Sequence, residues 1–249
     1  MIQGIEDELD MIEKNLLSVN KAANPLGWAK LMNIKGVLLV NAGRYKEAEP
    51  VFYAALASAD EILRAKIFIN AAKLNFFIKD LNRASDLIKR VFELQKDNKR
   101  IRLEFLLGYA HLLRGQIFSA SGDMKNALNE FKKAEYFFEG SADLRGVGIS
   151  CMEVARIHIK NKNLTTAWNY LRKSENCLSK LGSEENLGVI VCKGVALYYA
   201  GKEEEAQAML KKAYEENPEL GQGRYMIYEI LDAYLDTRSR LIHYQKALM

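Results

Sequence analysis

Gly115-Gln-Ile-Phe-Ser-Ala-Ser-Gly122-Asp-Met-Lys-Asn-Ala127-Leu-Asn-Glu-Phe131-Lys-Lys-Ala134 reads as an apolar segment, a glycine stop and a second, amphipathic segment. Gly122 suits the left-handed residue that ends a helix, because it has no Cβ to clash there. The polar residues after it open the next helix. Small residues stand at Gly115 and Ala127, a large apolar residue at Phe131 and a compact one at Ala134. Working outward, the same pattern recurs as Gly36, Ala48, Phe52, Ala55 and as Ala72, Ala84, Ile88, Val91. It returns as Ala155, Ala167, Leu171, Ser174 and as Gly194, Ala206, Leu210, Ala213. The first two members of each set are 12 residues apart, and the alanines of successive sets are 36, 43, 40 and 39 residues apart. Gly43 and Gly201 stop the first segment as Gly122 does. Asp80 and Asn163 occupy the corresponding turns of the two degenerate copies. Each copy is therefore expected to be a helical hairpin. Antiparallel helices approach to about 8–10 Å only where the crossing lacks a bulky side chain. The expectation is that the Gly or Ala of the first helix faces the Ala of the second, with the larger residue filling the space behind.

Composition agrees with a helical, globular chain. Of 249 residues, 49% are hydrophobic and 27% charged, so disorder is not a general description. Only 3 prolines are present, which favours helices over extended or loop-rich folds. Lys and Arg exceed Asp and Glu by 4, too mild a balance to point to nucleic acid. Cys151, Cys177 and Cys192 form no CxxC pair and suggest a reducing compartment. No apolar run approaches the ~18 residues of a membrane span, and the first ten residues are too acidic for a signal peptide. The expected location is cytoplasmic, with no membrane partner.

The five sets resemble the tetratricopeptide repeat, whose pattern runs W-x2-L-G-x2-Y, then Ala, then x3-Phe, then Pro. The first, third and fifth copies match best, and Pro218 closes the fifth. The Trp place is held by Met32, Phe68, His111, Cys151 and Ile190, and the Tyr place by Leu39, Asn75, Phe118, His158 and Leu197. A period near 40 resembles the longer variant of kinesin light chain and of bacterial regulators. A HEAT-like repeat shares that period but not the Gly/Ala pairing. The resemblance covers roughly residues 25 to 220. It implies an all-α, right-handed α-solenoid of about five helical hairpins with an extra helix at each end. Residues 1–21 would be an N-terminal capping helix, with Ile5, Leu9, Ile12, Leu16 and Val19 at helical spacing. Residues 22–220 would be the solenoid. Residues 221–249, rich in Tyr, Ile and Leu, would be a C-terminal helix serving as cap or association surface.

A solenoid of this kind implies a concave groove lined by the first helix of each hairpin. In the motif's register the groove positions are Lys30, Asn33 and Val37, then Lys66, Ile69, Asn70 and Lys73, then Tyr109, Leu112 and Gln116. Met152, Glu153 and Arg156 follow in the fourth copy, and Val191, Val195, Tyr198 and Tyr199 in the fifth. The basic residues would attract an acidic segment or a C-terminal carboxylate of a partner protein. Asn70 would hold its backbone, and the aromatic residues its apolar side chains. The carboxylate clamp of heat-shock co-chaperones in this family aligns with Asn33, Val37, Asn70, Tyr109 and Leu113. Only Asn70 agrees, so that activity is not expected. Two alternatives carry different consequences. One is a homo-oligomeric scaffold built through the C-terminal helix. The other is a regulator of a phosphoryl-transfer or transcription system, for which only Glu153 offers a groove carboxylate.

Chemistry has little support. His111, His158 and His243 fall in different helices with no HExxH spacing. His111 and His158 stand where the motif wants rings, so packing with one ring nitrogen bonded is the expectation. The cysteines fall on apolar faces as small hydrophobes. No phosphate-binding glycine loop occurs, and the run Lys96-Asp-Asn-Lys-Arg100-Ile-Arg102 lacks interleaved aromatic residues for base stacking. A non-catalytic protein without cofactor or metal is expected.

Overall fold

The computed structural model describes residues 2–97, 103–181 and 187–215. Those residues form eleven helices and no strand. The chain divides into two compact units, Met1–Ser141 and Ala142–Met249. No helix among the described residues is long and apolar enough to cross a membrane.

The first unit begins with α1 (Ile2–Ser18), followed by three hairpins: α2 (Pro25–Asn41) with α3 (Tyr45–Leu56), α4 (Glu61–Phe77) with α5 (Leu81–Asp97), and α6 (Glu104–Ala120) with α7 (Met124–Gly140). Helix α1 packs on α2 and buries Leu9 and Ile12 in the common core. Glu13 pairs with Lys35 at 2.8 Å and Glu6 with Arg44 at 3.2 Å, which ties α1 to the first hairpin. The second unit holds α8 (Leu144–Lys160) with α9 (Leu164–Leu178), and α10 (Leu187–Tyr199) with α11 (Glu203–Glu215). The expected C-terminal helix over 221–249, with Pro218 and His243, lies outside the described residues.

The small-residue pattern has a more specific cause than the sequence suggested. All the patterned residues from Gly36 to Leu210 are buried. The partner of each glycine is the large residue sixteen positions later, not the alanine. A Cβ on Gly36 would stand 2.5 Å from the Phe52 ring, one on Gly115 2.5 Å from Phe131, and one on Gly194 2.7 Å from Leu210. The ring therefore occupies the volume that a side chain would need. A second knob was not foreseen. Gly108 receives Phe138 and Gly148 receives Leu178, each at an offset of thirty residues, one turn pair further out on both helices.

The turns inside the hairpins share one bonding scheme. In the first, Gly43 N–H donates to Val40 O at 3.0 Å and Arg44 N–H to Leu39 O at 2.8 Å, the paired bonds that close a helix on a left-handed residue. Gly43, Gly122 and Gly201 take φ of 74°, 84° and 76°. In the degenerate copies the left-handed residues are Lys79, φ 66°, and Lys162, φ 58°. Asp80 and Asn163 stand one place later as helix caps, accepting from Arg83 N–H at 3.0 Å and Thr166 N–H at 3.4 Å. A side chain costs roughly 1–2 kcal/mol in this conformation. Lys79→Gly and Lys162→Gly are each expected to raise the urea midpoint by an equivalent of about 1 kcal/mol. Unchanged or lowered midpoints would show that the turns carry no strain.

Candidate functional site

Helices α2, α4 and α6 are successive neighbours in the first unit, and the expected groove positions of that unit are carried on them. Asn70 Nδ2 donates to Asn33 Oδ1 at 3.0 Å, so two expected groove residues from different hairpins are joined directly. Lys30 and Lys66 are exposed, and among the described residues neither enters an ion pair. Lys73 is exposed and lies 5.7 Å from the centre of the Phe77 ring. Tyr109 and Gln116 are half-buried; Tyr109 packs edge-on against Phe105 at 5.1 Å and Phe138 at 4.8 Å. Val37 and Ile69 are also half-buried, whereas Leu112 is buried and belongs to the packing.

The face is more apolar than the motif register implied. Ile34, Phe77 and Phe105 expose 44%, 43% and 45% of their surface, enough for each to offer a contact. None was singled out from sequence. Phe77 and Phe105 lie one turn beyond Lys73 and Tyr109 on the same stripes. Extending each stripe by four residues would have found them. Phe77 also stacks on Tyr45 at 6.2 Å, linking the first two hairpins.

Behind this face lies a buried ionic cluster on α6 and α7. Glu130 is 4% exposed and accepts from Arg114 Nε at 2.6 Å and Lys133 Nζ at 3.1 Å. His111 Nδ1 lies 2.7 Å from the same carboxylate. The His111 ring stacks on Phe137 at 5.3 Å and meets Phe92 at 4.8 Å, and the Arg114 guanidinium covers Phe92 at 4.2 Å. Burial pushes the Glu130 carboxyl up. The hydrogen bonds from His111, Arg114 and Lys133, with the Arg114 charge, outweigh that and bring it down to about 2. The histidine thus packs with one ring nitrogen engaged, as its place in the motif suggested. The carboxylate it meets sits four residues before Ala134 and had no signature in the pattern.

In the second unit, Met152 and Arg156 lie on α8, and Tyr198 and Tyr199 end α10 with ring centres 6.2 Å apart. Arg156 Nη1 donates to both oxygens of Glu153, at 3.0 and 3.3 Å, and Glu153 is 7% exposed. The one groove carboxylate available for phosphoryl chemistry is therefore buried and engaged. Val191 and Val195 are core residues. His158 stacks on Tyr170 at 6.0 Å. Cys151 and Cys192 are buried and Cys177 is half-buried. Burial pushes the Cys192 thiol up to about 12. A thiol-reactive chromogen at pH 8 is expected to titrate Cys177 in the native protein and leave Cys151 and Cys192 to react only on unfolding. Fast modification of all three without denaturant would contradict this packing.

No protein-family model matches the sequence, and no curated protein is significantly similar to it. Solved structures are similar in fold. BtubC (BKLC) from P. vanneervenii superposes with a TM-score of 0.65 at 13% identity, covering 95% of this chain and 92% of that one. A kinesin light chain protein of P. anserina with nearly identical TPR-like repeats superposes at 0.57 with 16% identity, covering 76% of this chain and 93% of that one. At such identities the likeness concerns the backbone fold alone, and it agrees with the succession of paired helices described above. The chain has a tetratricopeptide-repeat-like, all-α fold.

Proposed function

We propose that the face of α2, α4 and α6 is a docking surface for an acidic segment of another protein, and that the protein acts by binding, without chemistry. The observation that carries this reading is the charge distribution along the three helices. Helix α2 contains no acidic residue, and α4 and α6 contain only their first-turn glutamates, Glu61 and Glu104. Lys30 and Lys66 thus project from helix segments that carry no acid beside them, and Lys73 is exposed two turns beyond Lys66 on α4. The half-buried and exposed rings of Tyr109, Phe105 and Phe77 supply apolar contact beside them. The bonded Asn33–Asn70 pair keeps a spare amide N–H and a spare carbonyl for a partner's peptide groups.

A fluorescein-labelled oligoglutamate peptide tests the surface by anisotropy at low ionic strength. Lys66→Glu with Lys73→Glu is expected to weaken its binding about tenfold or more, since like charges then face each other. Near 1 M salt the wild-type binding is expected to vanish too, because screening falls to about 3 Å. Equal affinity of the wild type and the double variant would remove this face from the reading.

A further inference from the structure

Helix α4 presents Lys66, Asn70, Lys73 and Phe77 at intervals of four, three and four residues, which places them on one stripe. Helix α1 presents Glu6, Asp10, Glu13 and Leu17 at the same intervals. Glu6, Asp10 and Glu13 are exposed, and Leu17 is 89% exposed, the most open of the large apolar side chains described. The two stripes are complementary position by position: acid for lysine, acid for amide, acid for lysine, leucine for phenylalanine. We propose that α1 of a second copy docks along the α4 stripe, so that the chain is its own acidic partner. This rests on the proposed function, because it fills the same face.

Geometry favours a helix over an extended strand in that place. Lys66 and Lys73 are seven residues apart, about 10.5 Å along the axis. An extended chain covers that distance in about three residues, and its third side chain points to the opposite side. A helix returns a side chain to the same side at that distance, as Glu6 and Glu13 do. The existing pairs of α1 do not block the contact. Glu13 uses Oε1 toward Lys35 and Glu6 uses Oε2 toward Arg44, which leaves one oxygen on each carboxylate. Leu9 and Ile12, on the neighbouring stripe, hold α1 to its own core while the acidic stripe stays outward. Asn70 gives one amide N–H to Asn33 and keeps the other for Asp10. The contact joins different surfaces on the two copies, so it propagates into open chains or rings instead of closing as a symmetric dimer.

Light scattering of the full-length protein at low ionic strength tests this. The wild-type mass is expected to rise above 28.3 kDa with concentration. Glu6→Lys with Glu13→Lys, and separately Lys66→Glu with Lys73→Glu, are each expected to weaken self-association about tenfold or more. Mixed together, these two variants regain opposite charges at both contacts, acid against lysine in one and lysine against acid in the other, so they are expected to co-assemble in alternation although neither associates alone. Leu17→Ser and Phe77→Ser, which leave every ion pair in place, are expected to weaken association as well and guard against misfolding of the charge variants. A wild type that stays at monomer mass, variants that associate like it, or a mixture that stays monomeric would each overturn the inference. If the wild type stays monomeric yet still binds the oligoglutamate peptide, self-docking falls and the acidic-segment surface stands. If the peptide also fails to bind, both fall.

Discussion

Glu130→Ala is expected to destabilise the first unit by about 3–5 kcal/mol, the usual cost of removing one partner from a buried ionic group. The carboxylate holds three cationic or protonatable side chains, and its loss leaves His111, 8% exposed, without the acceptor 2.7 Å from its ring. Arg114 and Lys133 are more open and recover water, so the cost falls mainly on the histidine and on the cavity left beside Phe137. Glu130→Gln keeps the shape and loses the charge, and is expected to cost less. The acid dependence follows from the lowered carboxyl. Because the folded value of about 2 lies below the ordinary 4.5, the stabilisation is complete above about pH 4.5 and is lost as pH falls toward 2. Urea midpoints measured from pH 6 down to pH 2.5 check both points. The wild type should lose more stability over that window than Glu130→Gln. Parallel curves would show that Glu130 does not titrate as the cluster requires.

The second large effect concerns the glycine crossings. Phe131→Ala is expected to cost about 3–5 kcal/mol, since the ring is fully buried. Gly115→Ala is the more telling change. In the middle of an open helix the same substitution gains about 0.5–1 kcal/mol, and Gly4, in the first turn of α1 with open space where a Cβ would stand, should show a gain of the same sign. At Gly115 the new methyl would stand 2.5 Å from the Phe131 ring, which has no room to swing. Overpacking of this kind costs about 1–3 kcal/mol, so the sign should reverse. Gly115→Ala combined with Phe131→Leu should recover most of the loss caused by the first change. Strictly additive losses in that double-mutant cycle would show that the ring is not what excludes the side chain.

Much of this architecture was legible in the chain because it depends on short-range spacing. The distances from Gly36, Gly115 and Gly194 to their downstream alanines marked the hairpins, and Gly43, Gly122 and Gly201 marked the turns. In the less regular copies Asp80 and Asn163 do stand in the turns and cap the helices that follow, as their side chains favour, but the left-handed residue is the lysine before each, Lys79 and Lys162, which no side-chain preference marks. The second knobs, Gly108 with Phe138 and Gly148 with Leu178, were missed because thirty residues of offset lie beyond any single helix period.

The candidate face was legible only in part. Lys66, Asn70 and Lys73 follow from helical register, but the exposure of Phe77 and Phe105 does not. Nothing in the spacing distinguishes an aromatic residue that caps a core from one left open. The Glu130 cluster was invisible for a related reason. A glutamate in a lysine-rich helix reads as surface until α6 brings His111 and Arg114 across to it.

The crossings have a consequence for how such a chain can vary. Two hairpins set a glycine against a phenylalanine, Gly36 with Phe52 and Gly115 with Phe131. Two others place an alanine at the same offset from a smaller aliphatic residue, Ala72 before Ile88 and Ala155 before Leu171. Across these four the combined bulk of the two positions stays nearly constant while the size of each moves in opposite directions; the fifth, Gly194 with Leu210, is smaller in sum. The two helices of a hairpin are therefore matched halves: a graft that carries both across to another position keeps the fit, and one that carries a single helix between a glycine-type and an alanine-type hairpin leaves a void or a clash.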